Sequence, residues 1–221
     1  MADVARLLKA SPTDPGMPSE AEPAGTLSLD LAPGDYMVTG ACAGAYGSKL
    51  TIVREDGVPE AASFECEAAL DRFLRHDGGP VTISAVPPTG KPAATGVKVQ
   101  ANTDARLSEL EDFADWSAAQ LKPRIPGEFF GSRSTDATTG DTLMVEPGRY
   151  NLEFVCSEAP WAELSVATAA GVEVIAPVRI QCGEPITTPV TLPGQGADLT
   201  MRPVFGLEGR FAYRLVPAGQ P

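Results

Sequence analysis

Hydrophobic and polar residues alternate over many short stretches of this chain. In Tyr150-Asn-Leu-Glu-Phe-Val-Cys156, the residues Tyr150, Leu152, Phe154 and Cys156 fall on one side. A period of two over such a length marks a half-buried strand. Tyr36, Val38 and Cys42 repeat that face upstream. A Pro-Gly pair stands just before each tyrosine and suits positions i+1 and i+2 of a type II turn. Proline fixes φ there, and glycine tolerates φ > 0. The pattern predicts strands over Leu143–Val145 and Tyr150–Cys156, then near residues 162–167, 178–182, 189–192, 197–201 and 211–216. Upstream it predicts strands near residues 49–53, 63–66, 72–74, 81–86 and 96–100. About seven short strands per copy read as a β-sandwich, with immunoglobulin-like and jelly-roll orders both open.

The strands belong to a sequence written twice. At a constant offset of 114, Leu29 meets Leu143, Pro33 meets Pro147, Gly34 meets Gly148, Tyr36 meets Tyr150 and Cys42 meets Cys156. Leu50 then meets Leu164 and Gly57 meets Gly171, and after a two-residue insertion Cys66 meets Cys182. Self-similarity over this span indicates a duplicated domain. Two helices are expected outside the copies, at residues 2–10 and 105–121. Asp104 is the N-cap of the second; Leu107, Leu110, Phe113, Ala114, Ser117 and Leu121 run down one side, and Pro123 lies beyond its end. Residues 11–25 hold four prolines and read as an extended tether. The expected organisation is therefore a helix and tether over 1–25, a sandwich over 26–101, a helical linker over 102–140 and a second sandwich over 141–221.

Four cysteines allow three pairings, and the repeat selects Cys42 with Cys66 and Cys156 with Cys182. Both cysteines of a copy fall on inward-facing positions. A bridge closing a loop of about 25 residues stabilises by about 3 kcal/mol, which matters to a domain this small. Such bridges imply an oxidising compartment, secreted or at the extracellular cell envelope. No charged-then-apolar signal opens the chain. Met1-Ala-Asp-Val reads as a cytosolic start or as one from which an export signal has been removed. The cysteines favour the second reading, with room for a lipid tether upstream. Thr39-Gly-Ala-Cys42 superficially resembles a lipidation box, but it follows no apolar segment and its cysteine has a strand role.

Composition narrows the function. The chain has 221 residues with 17 basic and 29 acidic side chains, a net charge of −12. The acidity is spread: residues 1–101, 102–140 and 141–221 carry −5, −3 and −4. A field of this sign repels phosphate backbones and anionic lipid, so neither nucleic acid nor an anionic membrane surface is an expected partner. No apolar run reaches the 18 residues or so of a membrane-spanning helix. Glycine at 22 and proline at 21 positions fit a turn-rich β-protein.

Candidate chemistry is sparse. The single histidine, His76, sits in the turn signal Arg75-His-Asp-Gly-Gly79 with no nucleophile motif around it. It reads as structural or solvent-exposed, and no zinc spacing exists. Asp136-Ala-Thr-Thr-Gly-Asp141 faintly resembles a calcium loop but offers too few oxygens. The pairs Glu65/Glu67, Glu109/Asp112 and Glu111/Asp115 read as solvated surface. No catalytic residue, metal site or cofactor is expected. Tyr46 and Trp161 stand out, because they occupy the same loop of the two copies, one position apart, just after the first cysteine. Flat aromatics at a sandwich end stack on sugar rings or anchor a partner. Trp116 on the linker helix is a third candidate, read mainly as packing at the domain junction.

The L-x-x-x-P-G-x-Y…C…L-x-V pattern, the Phe211-Ala-Tyr-Arg-Leu-Val216 ending and the excess of 12 arginines over 5 lysines resemble uncharacterised secreted proteins and lipoproteins of high-GC Gram-positive bacteria. The strand pair is also similar to jelly-roll accessory domains that accompany secreted enzymes. The resemblance covers residues 27–100 and 141–217. It implies export and a β-sandwich, and it carries no catalytic residue. The expectation is a non-catalytic binding or assembly module whose partner is a protein or glycan. The alternatives are a secreted hydrolase using surface carboxylates and a carrier of a small ligand or metal ion.

Overall fold

A computed structural model of the chain describes residues 2–44, 46–55 and 57–219. The chain divides into two units, Met1–Glu109 and Leu110–Pro221. The first contains α1 (Ala2–Leu8) and seven strands: β1 (Gly25–Leu31), β2 (Gly34–Gly44), β3 (Ser48–Arg54), β4 (Glu60–Phe64), β5 (Ala68–His76), β6 (Gly79–Val86) and β7 (Ala93–Ala101). Helix α2 (Ala105–Ala119) follows, and then β8 (Phe129–Thr135), β9 (Thr139–Leu143), β10 (Gly148–Ser157), β11 (Trp161–Ala167), β12 (Glu173–Gln181), β13 (Ile186–Leu192), β14 (Ala197–Pro203) and β15 (Gly209–Pro217).

The strand order of the second unit is that of a jelly roll. Its sheets run β13-β10-β15-β8 and β12-β11-β14-β9. The pairs β11/β12, β10/β13, β9/β14 and β8/β15 nest inside one another, as in a long hairpin rolled into two sheets. The first unit repeats the roll with sheets β1-β6-β3-β4 and β5-β2-β7, one strand short. Where the second unit has β8 along β15, the first has the proline-rich segment beside β7. Val97 donates to the carbonyl of Gly16 at 3.0 Å, and Thr95 to that of Pro23 at 2.9 Å. Prolines have no N–H to return, so the segment follows the edge without forming a ladder. The sequence pattern did not predict β8, because Phe-Phe-Gly-Ser-Arg-Ser-Thr135 lacks alternating aliphatics and reads as connective.

The pairing registers of the two units match at offsets of 114 up to β3 and 116 from β4 onward, apart from a bulge in the β11/β12 pair after Leu164. They also show how the two cores differ. Gly40 faces Val97 where Phe154 faces Tyr213, Cys42 faces Thr95 where Cys156 faces Phe211, and Leu50 faces Ala85 where Leu164 faces Met201. The second core therefore holds bulky side chains, with Phe154 stacked on Phe211 at 6.0 Å, where the first holds small ones. Thr95 fills its place as a polar plug, accepting from the Gly25 amide at 3.2 Å and donating to the carbonyl of Ala85.

The helices preceding the rolls cover equivalent spots. In the first unit Val4 and Leu8 lie on Ala41, and a Cβ at Gly96 would come 2.6 Å from Val4. In the second, Leu121 lies on Val155 and Ala212. Lys98 reaches the carbonyl of Leu8 at 3.5 Å. Its counterpart Arg214, buried, donates to the carbonyls of Leu121 and Pro123 and pairs with Glu128 and Glu153. Asp104 caps α2 by accepting the Arg106 amide at 3.1 Å. On that helix Leu110 is exposed, contrary to the expected stripe. The buried position is Ser117, whose hydroxyl donates to Ser132.

The Pro-Gly-x-Tyr motif is a strand start rather than a type II turn. Gly34 and Gly148 are the first residues of β2 and β10; Gly34 has an extended φ of 159°, and Gly148 has no positive φ. The tyrosine hydroxyls donate to the carbonyls of Ala32 and Glu146, four residues back, at 2.9 and 2.8 Å. The bonds tie each strand's start to the chain entering it.

Both disulfides are formed, Cys42–Cys66 and Cys156–Cys182, with Cα–Cα separations of 4.5 and 4.7 Å. The residue after each second cysteine, Glu67 or Gly183, has a positive φ and donates its amide to the carbonyl of Cys42 or Cys156 at 2.8 and 2.9 Å. The backbone setting of the bridge is thus duplicated. Removing the first bridge by Cys42→Ala/Cys66→Ala is expected to cost about 3 kcal/mol. The first unit should then unfold ahead of the second in a thermal scan. Cys156→Ala/Cys182→Ala should cost a similar amount; unfolding of the intact second unit ahead of the first in the Cys42→Ala/Cys66→Ala variant would contradict the difference in core packing. Tyr150→Phe, which leaves the Glu146 carbonyl without its donor, should cost about 1 kcal/mol in denaturant titrations.

Candidate functional site

Each unit opens a cleft at the same end of its sandwich. In the first, the β2–β3 loop brings Tyr46 beside Ser48 and Lys49 of β3, Ser63 and Phe64 of β4, and Val86 to Thr89 at the exit of β6. The cleft measures about 410 Å³. In the second, Trp161 at the start of β11 meets Asp136 to Thr138 of the β8–β9 turn and Arg202, Pro203 and Phe205 at the exit of β14. That cleft measures about 380 Å³. Both volumes fall in the range of small-ligand sites, roughly 300–1,000 Å³. By the matched registers Val86 corresponds to Arg202 and Pro87 to Pro203.

Tyr46 is 71% exposed and Phe205 fully exposed. Tyr46 also has a φ of 80°, a left-handed conformation that costs a bulky residue on the order of 1–3 kcal/mol. A cation covers one face of each cleft aromatic. Lys91 Nζ lies 4.0 Å from the ring centre of Tyr46, and the Arg179 guanidinium 3.9 Å from that of Trp161. Lys91 reaches its ring because Pro88 to Lys91 form a tight turn, with the Lys91 amide on the Pro88 carbonyl at 3.1 Å and Gly90 at φ 76°.

The outward rows beside the clefts differ in charge. Across β6, β3 and β4, Val86, Lys49 and Ser63 stand in one row, in which Lys49 is the one charged side chain. Across β14, β11 and β12 the corresponding row is Arg202, Glu163 and Arg179. Arg202 pairs with Glu163 at 3.0 Å. Among the described residues no carboxylate pairs with Lys49.

The remaining candidates fall elsewhere. Trp116 stacks on Phe113 at 5.9 Å, packs with the Leu121 cluster of the second unit and lines neither cleft. His76 is buried, with Nε2 3.0 Å from the Gly79 carbonyl. Asp141 accepts the hydroxyl of buried Tyr213 and pairs with Arg133 at 3.1 Å, which removes it from a calcium loop with Asp136. Burial, and then this bond, push the Tyr213 phenol up. Glu67 accepts from the Gly44 amide at 3.0 Å and lies beyond the end of β4. Asp35 and Asp104 are both held below the ordinary carboxylate range, by hydrogen bonds from Arg75 and Arg106. A general acid needs the opposite shift. Among the described residues no group of three or more His, Cys, Asp and Glu could hold a metal ion, and no helix is long and apolar enough to cross a membrane. Phe205 and the cation over each ring were missed from the sequence. Phe205 sits in a glycine-flanked loop without pattern, and the stacking partners lie 18 to 45 positions away.

No family model matches the chain, and no curated protein matches it. Among solved structures it is similar to the exported protein XepA of PBSX, with 12% identity over 87% of this chain and 81% of that one and a TM-score of 0.28. It is also similar to a cupin 2 conserved barrel domain protein from Leptotrichia buccalis, with 10% identity, coverage of 87% and 80% and a TM-score of 0.27. These likenesses carry no argument about what the chain binds, and the jelly-roll order of its strands stands independently of them.

Substituting Tyr46→Gly should relieve the left-handed strain at little packing cost. The unfolding midpoint should stay level or rise. A clear fall in midpoint would show that the ring supports the fold and is not held out for a ligand.

Proposed function

We infer that this protein is a non-catalytic binding module of the secreted or cell-envelope class, which holds a glycan at the Tyr46 and Trp161 clefts. One observation carries the reading: both rolls present an aromatic at the same rim, beside a cleft of small-ligand size, with a cation on one face of the ring. Stacking on a sugar needs a rigid flat surface next to polar groups, and both rims supply one. The two disulfides support an oxidising compartment.

Hydrolysis is the weaker reading. Glycoside cleavage needs two carboxyl groups facing each other across the bond. Among the described residues the Tyr46 cleft is lined by none, and the Trp161 cleft by Asp136 alone.

The test is calorimetric titration of the full chain with cellulose-, xylan- and galacturonan-derived oligosaccharides. At least one should bind. Tyr46→Ala and Trp161→Ala should each weaken binding at their own cleft by up to about tenfold, with melting unchanged. Affinities that ignore both substitutions would remove the clefts from the account. Binding of none of the sugars would turn the search toward a protein partner.

A further inference from the structure

We propose that the Tyr46 cleft selects an acidic sugar, one bearing a carboxylate or sulfate group; this rests on the glycan reading above. Three observations converge on it. First, the cleft is lined by Lys49 and, among the described residues, by no carboxylate. Lys49 stands between neutral Val86 and Ser63. In a chain with 29 acids and only 5 lysines, an ammonium without a carboxylate partner among the described residues is a place where a ligand anion meets no repulsion. A second lysine, Lys91, sits over the ring that shares the cleft.

Second, Ser48 also lines the cleft. This residue is only 5% exposed, and its Oγ has no hydrogen-bond partner among the described residues. Buried polar groups are normally paired, and an unpaired one costs roughly 1–3 kcal/mol. A ligand oxygen at the inner wall of the cleft would meet that need. A ring resting on Tyr46 has hydroxyls to offer Ser48 and an acidic substituent to offer Lys49.

Third, the matched row of the other unit differs at the position of Lys49 itself, although Arg179 leaves that row with a net positive charge as well. There Glu163 stands where Lys49 does and is neutralised by Arg202 at 3.0 Å. The same place in the same fold therefore has its charge satisfied internally in one copy and not in the other.

The experiment titrates the full chain, by calorimetry, with three probes: a galacturonate oligosaccharide, a sulfated heparin-derived oligosaccharide of similar length, and a neutral cellulose oligosaccharide. Each is run at about 50 mM and about 500 mM NaCl, the higher salt shrinking the reach of exposed charges to a few ångströms. At low salt an acidic probe should bind about tenfold or more tightly than the neutral one, and the advantage should shrink at high salt. Carboxylated and sulfated probes tell which anion is preferred. Lys49→Gln should abolish the acidic advantage and leave the affinity for the neutral probe unchanged. Ser48→Ala should weaken all bound probes, with melting checked by circular dichroism. Preferential binding of the neutral probe, or an acidic preference that survives Lys49→Gln, overturns the proposal while leaving the glycan reading standing. If none of the three binds, both fall.

Discussion

Each roll is organised around one strand pinned at both ends. β2 and β10 lie between two neighbours, begin beneath a tyrosine and finish at a cysteine. At the start, the phenol hydroxyl fastens the strand to a carbonyl four residues earlier. At the far end, the disulfide joins it to the β4–β5 connection in the first roll and the β12–β13 connection in the second. Between these points every inward side chain has its depth set. The rim loops leave immediately after the pinned cysteine, so the stability of that end fixes where Tyr46 and Trp161 are presented. A small sandwich has little core to spare, and covalent and hydrogen-bonded anchors on one strand supply the definition that bulk alone does not.

The sequence revealed the periodic parts of this arrangement. The duplication, the strand alternation and the pairing of Cys42 with Cys66 and Cys156 with Cys182 all follow from residues that recur at fixed spacing. What escaped was aperiodic. β8 forms because β15 offers an unpaired edge, a fact of topology that no local pattern in residues 129–135 announces. The Pro-Gly pairs carried a turn signal, yet the tyrosine two positions on takes the role of fixing the corner, and the glycine becomes the strand's first residue. In α2 the expected stripe holds at Ser117, buried with a hydroxyl partner at Ser132, and fails at Leu110, which is exposed.

The candidate site was legible only in outline. Tyr46 and Trp161 could be picked out because duplication placed aromatics in one loop twice. Their surroundings come from strands far apart in the chain: Lys91 and Phe64 around one ring, Arg179 and Phe205 near the other. The left-handed backbone at Tyr46 was equally invisible, since nothing in Gly-Ala-Tyr-Gly dictates which residue takes the positive φ. Strain kept at an exposed aromatic, within a fold otherwise so regular, is a sign that presentation of the ring has been favoured over local comfort.

The matched registers of the two rolls have an evolutionary consequence. The three outward positions beside each cleft sit on well-paired strands and contribute little to either core, so they can change together without disturbing the architecture. One ancestral rim could thus become two surfaces of unlike electrical character by a handful of exchanges. The same freedom makes the rims transferable: the triplet from one roll, grafted onto the other, should carry its recognition with it.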